Sequence, residues 1–174
     1  MARRRLFYSL DKPLMKTYQA PWGKTLIAMS SVLAVLAVAD VVASTWLYGK
    51  APWGVALLVQ WSLPVLVLVC LPFVIRGYAI AEDAILVKRL FWTTRLARAD
   101  LESAEVVPNA LRKSLRTCGN GGAFSFTGWY WSKSLGHYRA FVTDLKRTVV
   151  LRFKNRTVVM SPATPEDFVN ELKR

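Results

Sequence analysis

One histidine, His137, and two cysteines, Cys70 and Cys118, are the chain's whole stock of imidazole and thiol. His137 sits in a strand-like run between Gly136 and Tyr138, with no nucleophile spaced for it to activate, so a surface or hydrogen-bonded histidine is a plainer account than a general base. The cysteines lie far apart, one of them inside an apolar run, and form neither a metal spacing nor a disulfide framework. The acids are scattered: Glu82-Asp83 fits a turn and Glu166-Asp167 a helix start. No catalytic constellation, metal cluster or cofactor motif is legible, so the expectation is a protein that is not an enzyme and holds no metal or cofactor.

Binding chemistry is better represented. Residues 108–136 read PNALRKSLRTCGNGGAFSFTGWYWSKSLG, far longer than an ordinary connection between elements. Arg112, Lys113, Arg116 and Lys133 supply positive charge, and Gly119, Asn120, Gly121 and Gly122 supply a flexible backbone whose N–H groups could converge on an anion. No Gly-Lys-Ser/Thr follows, so this is not a nucleotide P-loop. A glycine-rich bend demanded only by backbone geometry is the competing account. Phe124, Phe126, Trp129, Tyr130 and Trp131 form an aromatic run that either dips into lipid headgroups or packs against the domain or a neighbouring subunit.

A third constellation is intramembrane in character. Asp40 and Gln60 are the polar interruptions of two long apolar runs and fall at similar depth if those runs pair as an antiparallel hairpin. Ser30, Ala34, Ala37, Asp40 and Ser44 share one helical face of small residues, suited to close helix approach. Pro64 frees the carbonyl of Gln60, which together with the Gln60 amide could satisfy Asp40. An Asp within a span costs about 2.5–3.5 kcal/mol on insertion scales, so a partner or a role is expected.

These residues must be positioned by two unlike parts. Residues 25–47 and 52–75 are apolar runs free of Lys and Arg, each long enough at about 1.5 Å per residue to cross a hydrocarbon core of roughly 30 Å. Soluble helices rarely run this far without a polar face. Six Lys and Arg precede the first run, Lys50 alone lies in the turn, and Arg76, Lys88 and Arg89 follow the second. The positive-inside rule then predicts a multi-pass protein of the cell (inner) membrane with both termini cytoplasmic. Trp46, Tyr48 and Trp53 mark the outer turn, and Tyr18, Trp22, Phe73 and Tyr78 the inner ends. Ala37-Val38-Ala39 is similar to a signal-peptide cleavage site, but the apolar run continues beyond it. The expected division is a basic cytoplasmic segment 1–24, a transmembrane hairpin 25–75 and a cytoplasmic domain 76–174.

The tail reads as β, with seven short runs. Alternation is clearest over 148–154, where Val149, Leu151 and Phe153 face one way and Thr148, Arg152 and Lys154 the other, before a turn at Asn155. Thr164, Pro165 and Asp167 then predict the capped start of a short helix with Phe168, Val169 and Leu172 on its apolar face.

The runs SLRTCGNGGAFSFTGWYW, LGHYRAFVTD and VVMSPATPEDFV together resemble the bacterial pleckstrin-homology-like (PH) domain family found behind membrane spans, over roughly residues 76–173. The resemblance implies a mainly-β PH-like barrel of about seven strands capped by a C-terminal helix, here following an α-helical transmembrane hairpin. Phosphoinositide-binding PH domains crowd basic residues in the first hairpin turn, where this chain has Glu82-Asp83, so inositol-lipid binding does not follow from the fold.

Net charge is +13, with seventeen Lys and Arg against nine acids after residue 75. Beside a bilayer such a balance first suggests anionic phospholipid headgroups; no nucleic-acid motif is present. The leading expectation is a non-enzymatic membrane protein whose PH-like domain binds a protein partner, another copy of itself or anionic lipid. The alternative is an accessory subunit of a transport or envelope-enzyme complex that uses the Asp40/Gln60 pair.

Overall fold

A computed structural model describes residues 15–47 and 53–174. Most of the basic head, and the turn holding Tyr48 and Lys50, lie outside the described residues.

Strand β1 (Lys16–Gln19) precedes helices α1 (Lys24–Leu47) and α2 (Trp53–Cys70), and a 3-10 turn (Leu71–Phe73) leads into β2 (Ile75–Ile80). β3 (Ala84–Arg89), β4 (Thr93–Ala97), β5 (Leu101–Val106), β6 (Leu115–Gly121), β7 (Phe126–Ser132), β8 (Gly136–Val142), β9 (Val149–Phe153) and β10 (Arg156–Met160) follow, and α3 (Pro165–Leu172) ends the chain. The class is the expected one: two apolar helices, then a mainly-β domain with a C-terminal helix. Strands β1-β2-β3-β4 form one sheet, and β5-β9-β10-β8-β7-β6 the other, with β8 and β10 parallel.

Tight turns close the antiparallel pairs where the sequence is polar. Glu82-Asp83 joins β2 to β3, with Asp83 paired to Arg95 of β4, and Lys154-Asn155 joins β9 to β10. The main core lies between the sheets, with Tyr78, Ile85, Val87 and Leu96 from one and Phe141, Leu151 and Met160 from the other. α3 adds its apolar face, Phe168, Val169 and Leu172, to that core. Pro165 opens the helix and Thr164 is its N-cap, but no Thr164 side-chain bond forms; the Thr164 carbonyl instead accepts from Phe168 N at 3.0 Å. At the other end the Arg98 guanidinium donates to the carbonyl of Leu172 at 3.2 Å, supplying a C-terminal cap from outside the helix.

Three expectations change. First, 108–136 is not one long connection: it contains β6 and β7, so the domain has nine strands from β2 onward rather than seven. Gly119 (φ 113°) and Gly128 (φ 148°) face each other across this pair, and a Cβ on either would strike the opposite backbone. Glycine there marks close strand approach beside a bulge. Second, β9 keeps its alternation, with Val149, Leu151 and Phe153 in the main core, but its other face is covered too, because Val150 is buried in a second core. The far face of the six-stranded sheet carries its own core, in which Tyr130, Tyr138, Val150 and Val159 are covered by Leu26 of α1 and by Ala110. Third, Tyr18 and Tyr78 do not mark a membrane interface: they pair across β1 and β2, and both are buried in the main core, where Phe168 packs against their rings.

The segment before the hairpin is joined to the domain after it. β1 pairs antiparallel with β2 from Lys16↔Ile80 to Gln19↔Gly77, so the hairpin is inserted between neighbouring strands of one sheet. Backbone bonds from Gly23 N to Thr143 O (3.0 Å) and from Ala163 N to Gln19 O (2.9 Å) fix the chain as it enters α1. The helices pack on each other, but the domain covers little of them: α2 has no buried residue, and Val35, Val38, Leu58 and Leu68 stand exposed.

Candidate binding cleft beneath the hairpin

The loop joining β6 to β7 is the clamp between the hairpin and the domain. Ser30 of α1, buried, accepts from Phe124 N at 3.0 Å and donates to Gly122 O at 3.3 Å. Ser125 donates to the carbonyl of Phe73, just after α2, at 3.0 Å. Both helices are thus held at their inner ends by one loop of four residues, 122–125. Phe124 takes a left-handed backbone (φ 65°), costly for a bulky side chain, and its ring lies 6.2 Å from that of Trp22.

Asn120 organises the same loop. Its Oδ1 accepts from Ala123 N at 2.9 Å and from Gly122 N at 3.3 Å, and its Nδ2 donates to Ala123 O. With Phe124 N taken by Ser30, the N–H groups of Gly122, Ala123 and Phe124 are all bonded within the protein. The glycines therefore shape a turn, and these donors do not converge on an anion as a nest would require.

Beneath the clamp a cleft of about 660 Å³ opens between the inner ends of α1 and α2, the end of β3 and the inner face of β6, β7 and β8. Its upper wall is apolar, from Met29, Leu33, Leu66 and Val69, while its floor carries Arg89, Arg116 and Arg139. Among the described residues, no Asp or Glu lines it. Arg89 is only 6% exposed, and its Nε and Nη2 have no hydrogen-bond partner among the described residues. The rings of Phe141 (5.0 Å), Trp92 (5.3 Å) and Phe73 (5.8 Å) surround its guanidinium carbon. Cation–π contacts contribute about 0.5–2 kcal/mol each, but they satisfy no N–H, and an unmet buried donor costs about 1–3 kcal/mol, more when charged. Burial and then the Arg139 charge bring the Arg89 pKa down to about 10. Arg139, half-buried between Trp129 (5.7 Å) and Phe141 (5.0 Å), is lowered by burial and then by Arg156. Arg116 lies against Gly121, where a Cβ would collide with its guanidinium.

The sequence-derived candidates divide accordingly. Arg116, Gly119, Asn120, Gly121, Gly122 and Trp129 line the cleft. Arg112 instead borders a neighbouring groove with Arg116 and Tyr130, Lys113 is exposed in the turn before β6, and Lys133 is exposed in the turn between β7 and β8. Phe126 is buried in the second core, while Trp131 stands half-exposed beside His137 on β8. No hydrogen bond joins Asp40 to Gln60 among the described residues, and Asp40 Oδ2 is buried without a partner.

Arg89 and Arg139 were missed. The available signal was their phase: Ile85, Val87 and Arg89 alternate on the buried face of β3, and Arg139 shares the face of Phe141 on β8. A cation in phase with core positions is either paired or placed for a ligand. Leu90, Phe91 and Trp92, exposed between β3 and β4, were also missed as an apolar tip beside the end of α2.

A family model described as the bacterial PH domain matches residues 76–174, more than half of the chain. The chain belongs to the bacterial PH domain family. No curated protein and no solved structure matches it. PH domains are binding and scaffold modules, and in this bacterial PH domain the turn between β2 and β3 is acidic, with Glu82 and Asp83 both exposed. Three arginines, Arg89, Arg116 and Arg139, gather instead where the domain meets the hairpin.

Proposed function

We propose that the chain is a non-enzymatic integral protein of the cell membrane that holds a PH-like binding domain rigidly at the cytoplasmic bilayer surface, with the arginine-lined cleft at its base as the binding site. The continuity of β1 and β2 around the hairpin carries this reading: an anchor inserted between two paired strands fixes the orientation of the domain as well as its nearness to the membrane. Two further features support it. Both helices are long and apolar enough to span a bilayer and leave most of their apolar surface uncovered. Around their inner ends stand the exposed side chains of Trp22, Phe91, Trp92 and Trp129, the residue types favoured at headgroup level.

Alkaline carbonate extraction of native membranes, with labelling of a reporter thiol, tests this. In a chain whose Cys70 and Cys118 are replaced by Ala, Lys154→Cys places the reporter on the exposed β9–β10 turn, remote from the cleft. The protein stays in the membrane pellet, and an impermeant maleimide labels the thiol only after permeabilisation. Release by carbonate would overturn the membrane reading, and labelling in intact cells would overturn the topology.

A further inference from the structure

The cleft has a chemical asymmetry that a simple binding surface does not need. One wall belongs to the apolar spans and the opposite floor to three arginines without a facing carboxylate. Arg89 is more than nine-tenths buried, held by aromatic rings on its carbon, yet two of its nitrogens reach no acceptor. A ligand that completes the site must bring anionic oxygens to the floor and hydrocarbon to the wall. It must also enter from the side where α1 and α2 are uncovered.

We propose that this cleft seats one anionic glycerophospholipid from the surrounding leaflet, its phosphate held by Arg89, Arg116 and Arg139 and its acyl chains lying along Met29, Leu33, Leu66 and Val69. Guanidinium forks match phosphate oxygens in paired, charge-assisted hydrogen bonds, so a phosphodiester supplies the acceptors that Arg89 lacks. Charge selects the headgroup. Arg156 stands close enough to act on Arg139, and no acid lines the floor, so the ammonium of a zwitterionic lipid would meet cations alone. The apolar wall selects a lipid over a soluble anion: Met29 and Leu33 lie within the first three turns of α1, and Leu66 and Val69 within the last two of α2, at the level where acyl chains begin. The loop clamping Ser30 and Phe73 closes the cleft on the domain side, leaving the bilayer side as the entrance. The proposal deepens the reading of the chain as a membrane-held binding module and rests on it.

The test uses the full chain purified in a neutral maltoside detergent, with lipid retention read by native mass spectrometry. One dioleoyl phosphatidylglycerol per chain is retained, at least about tenfold more tightly than dioleoyl phosphatidylcholine. Arg116→Gln and Arg139→Gln each weaken retention by roughly tenfold, the loss expected for one charge-assisted hydrogen bond, without altering the far-UV spectrum or the melting temperature. Arg116 is exposed, so its variant keeps the test decisive even if Arg89→Gln, expected to abolish selectivity, fails to fold. Equal retention of the two lipids, or phosphatidylglycerol retention unchanged in both the Arg116 and Arg139 variants, would overturn the site. Displacement of the lipid by equimolar glycerol phosphate would identify a soluble-anion site and overturn the lipid assignment. Selective retention by a chain that carbonate releases from membranes would sink the membrane reading while leaving the cleft chemistry standing; carbonate resistance without selectivity would do the reverse.

Discussion

At the α3 end of the domain, Arg98 donates to the carbonyls of Glu171 and Leu172, Lys16 pairs with Glu171 at 3.0 Å, and the Tyr18 hydroxyl reaches the carbonyl of Asp167. At the other end of β3 and β4, beneath the hairpin, Arg89 is more deeply buried than any of these cations, and its Nε and Nη2 bond to no oxygen among the described residues. The same short strands separate the two ends, and the same side-chain chemistry is present at both. Backbone carbonyls and a carboxylate complete the first end, whereas the second is lined by rings, hydrocarbon and like charges. Complete polar satisfaction marks the part of the molecule that holds the fold; its lapse, at a site with room for a ligand, marks the part available for binding.

This contrast predicts opposite responses to substitution. The largest effect belongs to the closed end. Phe168→Ala removes a fully buried ring that packs on Tyr18 and Tyr78, and should cost about 3–5 kcal/mol, read as a large fall in the melting temperature of the domain. A smaller loss follows at the polar hub between the sheets. The Tyr78 hydroxyl donates to Phe141 O at 2.7 Å and contacts Ser161, whose Oγ accepts from Thr143 N at 2.8 Å. Tyr78→Phe leaves a buried carbonyl without that donor and should cost about 1–2 kcal/mol in denaturant unfolding. The same variant carries a pH signature. Burial pushes the Tyr78 hydroxyl up to about 12, above its ordinary value near 10. The native state therefore keeps a proton that the unfolded chain loses between those values, and stability falls as pH rises through that window. Tyr78→Phe should flatten that alkaline limb; an unchanged slope would remove Tyr78 from it.

The smallest change in stability, and the one that most sharpens the contrast, is at the open end. Arg89→Met keeps an unbranched apolar stem among Phe73, Trp92 and Phe141 and removes a charge with no acceptor. In neutral detergent without anionic lipid, its melting temperature should match or exceed that of the parent. A drop comparable to that of Phe168→Ala would show that Arg89 belongs to the machinery of folding.

Much of the fold could be read because it depends on local pattern. The apolar runs announce the hairpin, Pro165 and the Phe168-Val169-Leu172 face announce α3, and the alternation of Leu151 to Phe153 announces β9. β6 and β7 were hidden because glycine and loop-like composition stand where two strands approach closely, and Gly119 and Gly128 make sense only as a facing pair. β1 was hidden because four residues carry no period of their own and become a strand only against β2. The cleft was half legible. Arg116, the glycines and Trp129 stand in one distinctive stretch, whereas Arg89 and Arg139 come from separate strands and are set apart only by their phase with core residues.

By itself, then, the sequence determined two helices able to span a membrane, the net positive charge, the class of the domain and its lack of a basic β2–β3 turn. These follow from length, hydropathy and composition, which act residue by residue. Only the tertiary structure decided that the hairpin interrupts a sheet, that Tyr18 and Tyr78 are core residues, and that three arginines from β3, β6 and β8 meet under the apolar helix ends. Those facts depend on strand register and on which face a neighbour covers. A one-residue slip in pairing would reverse both, and they are fixed only when distant segments pack together.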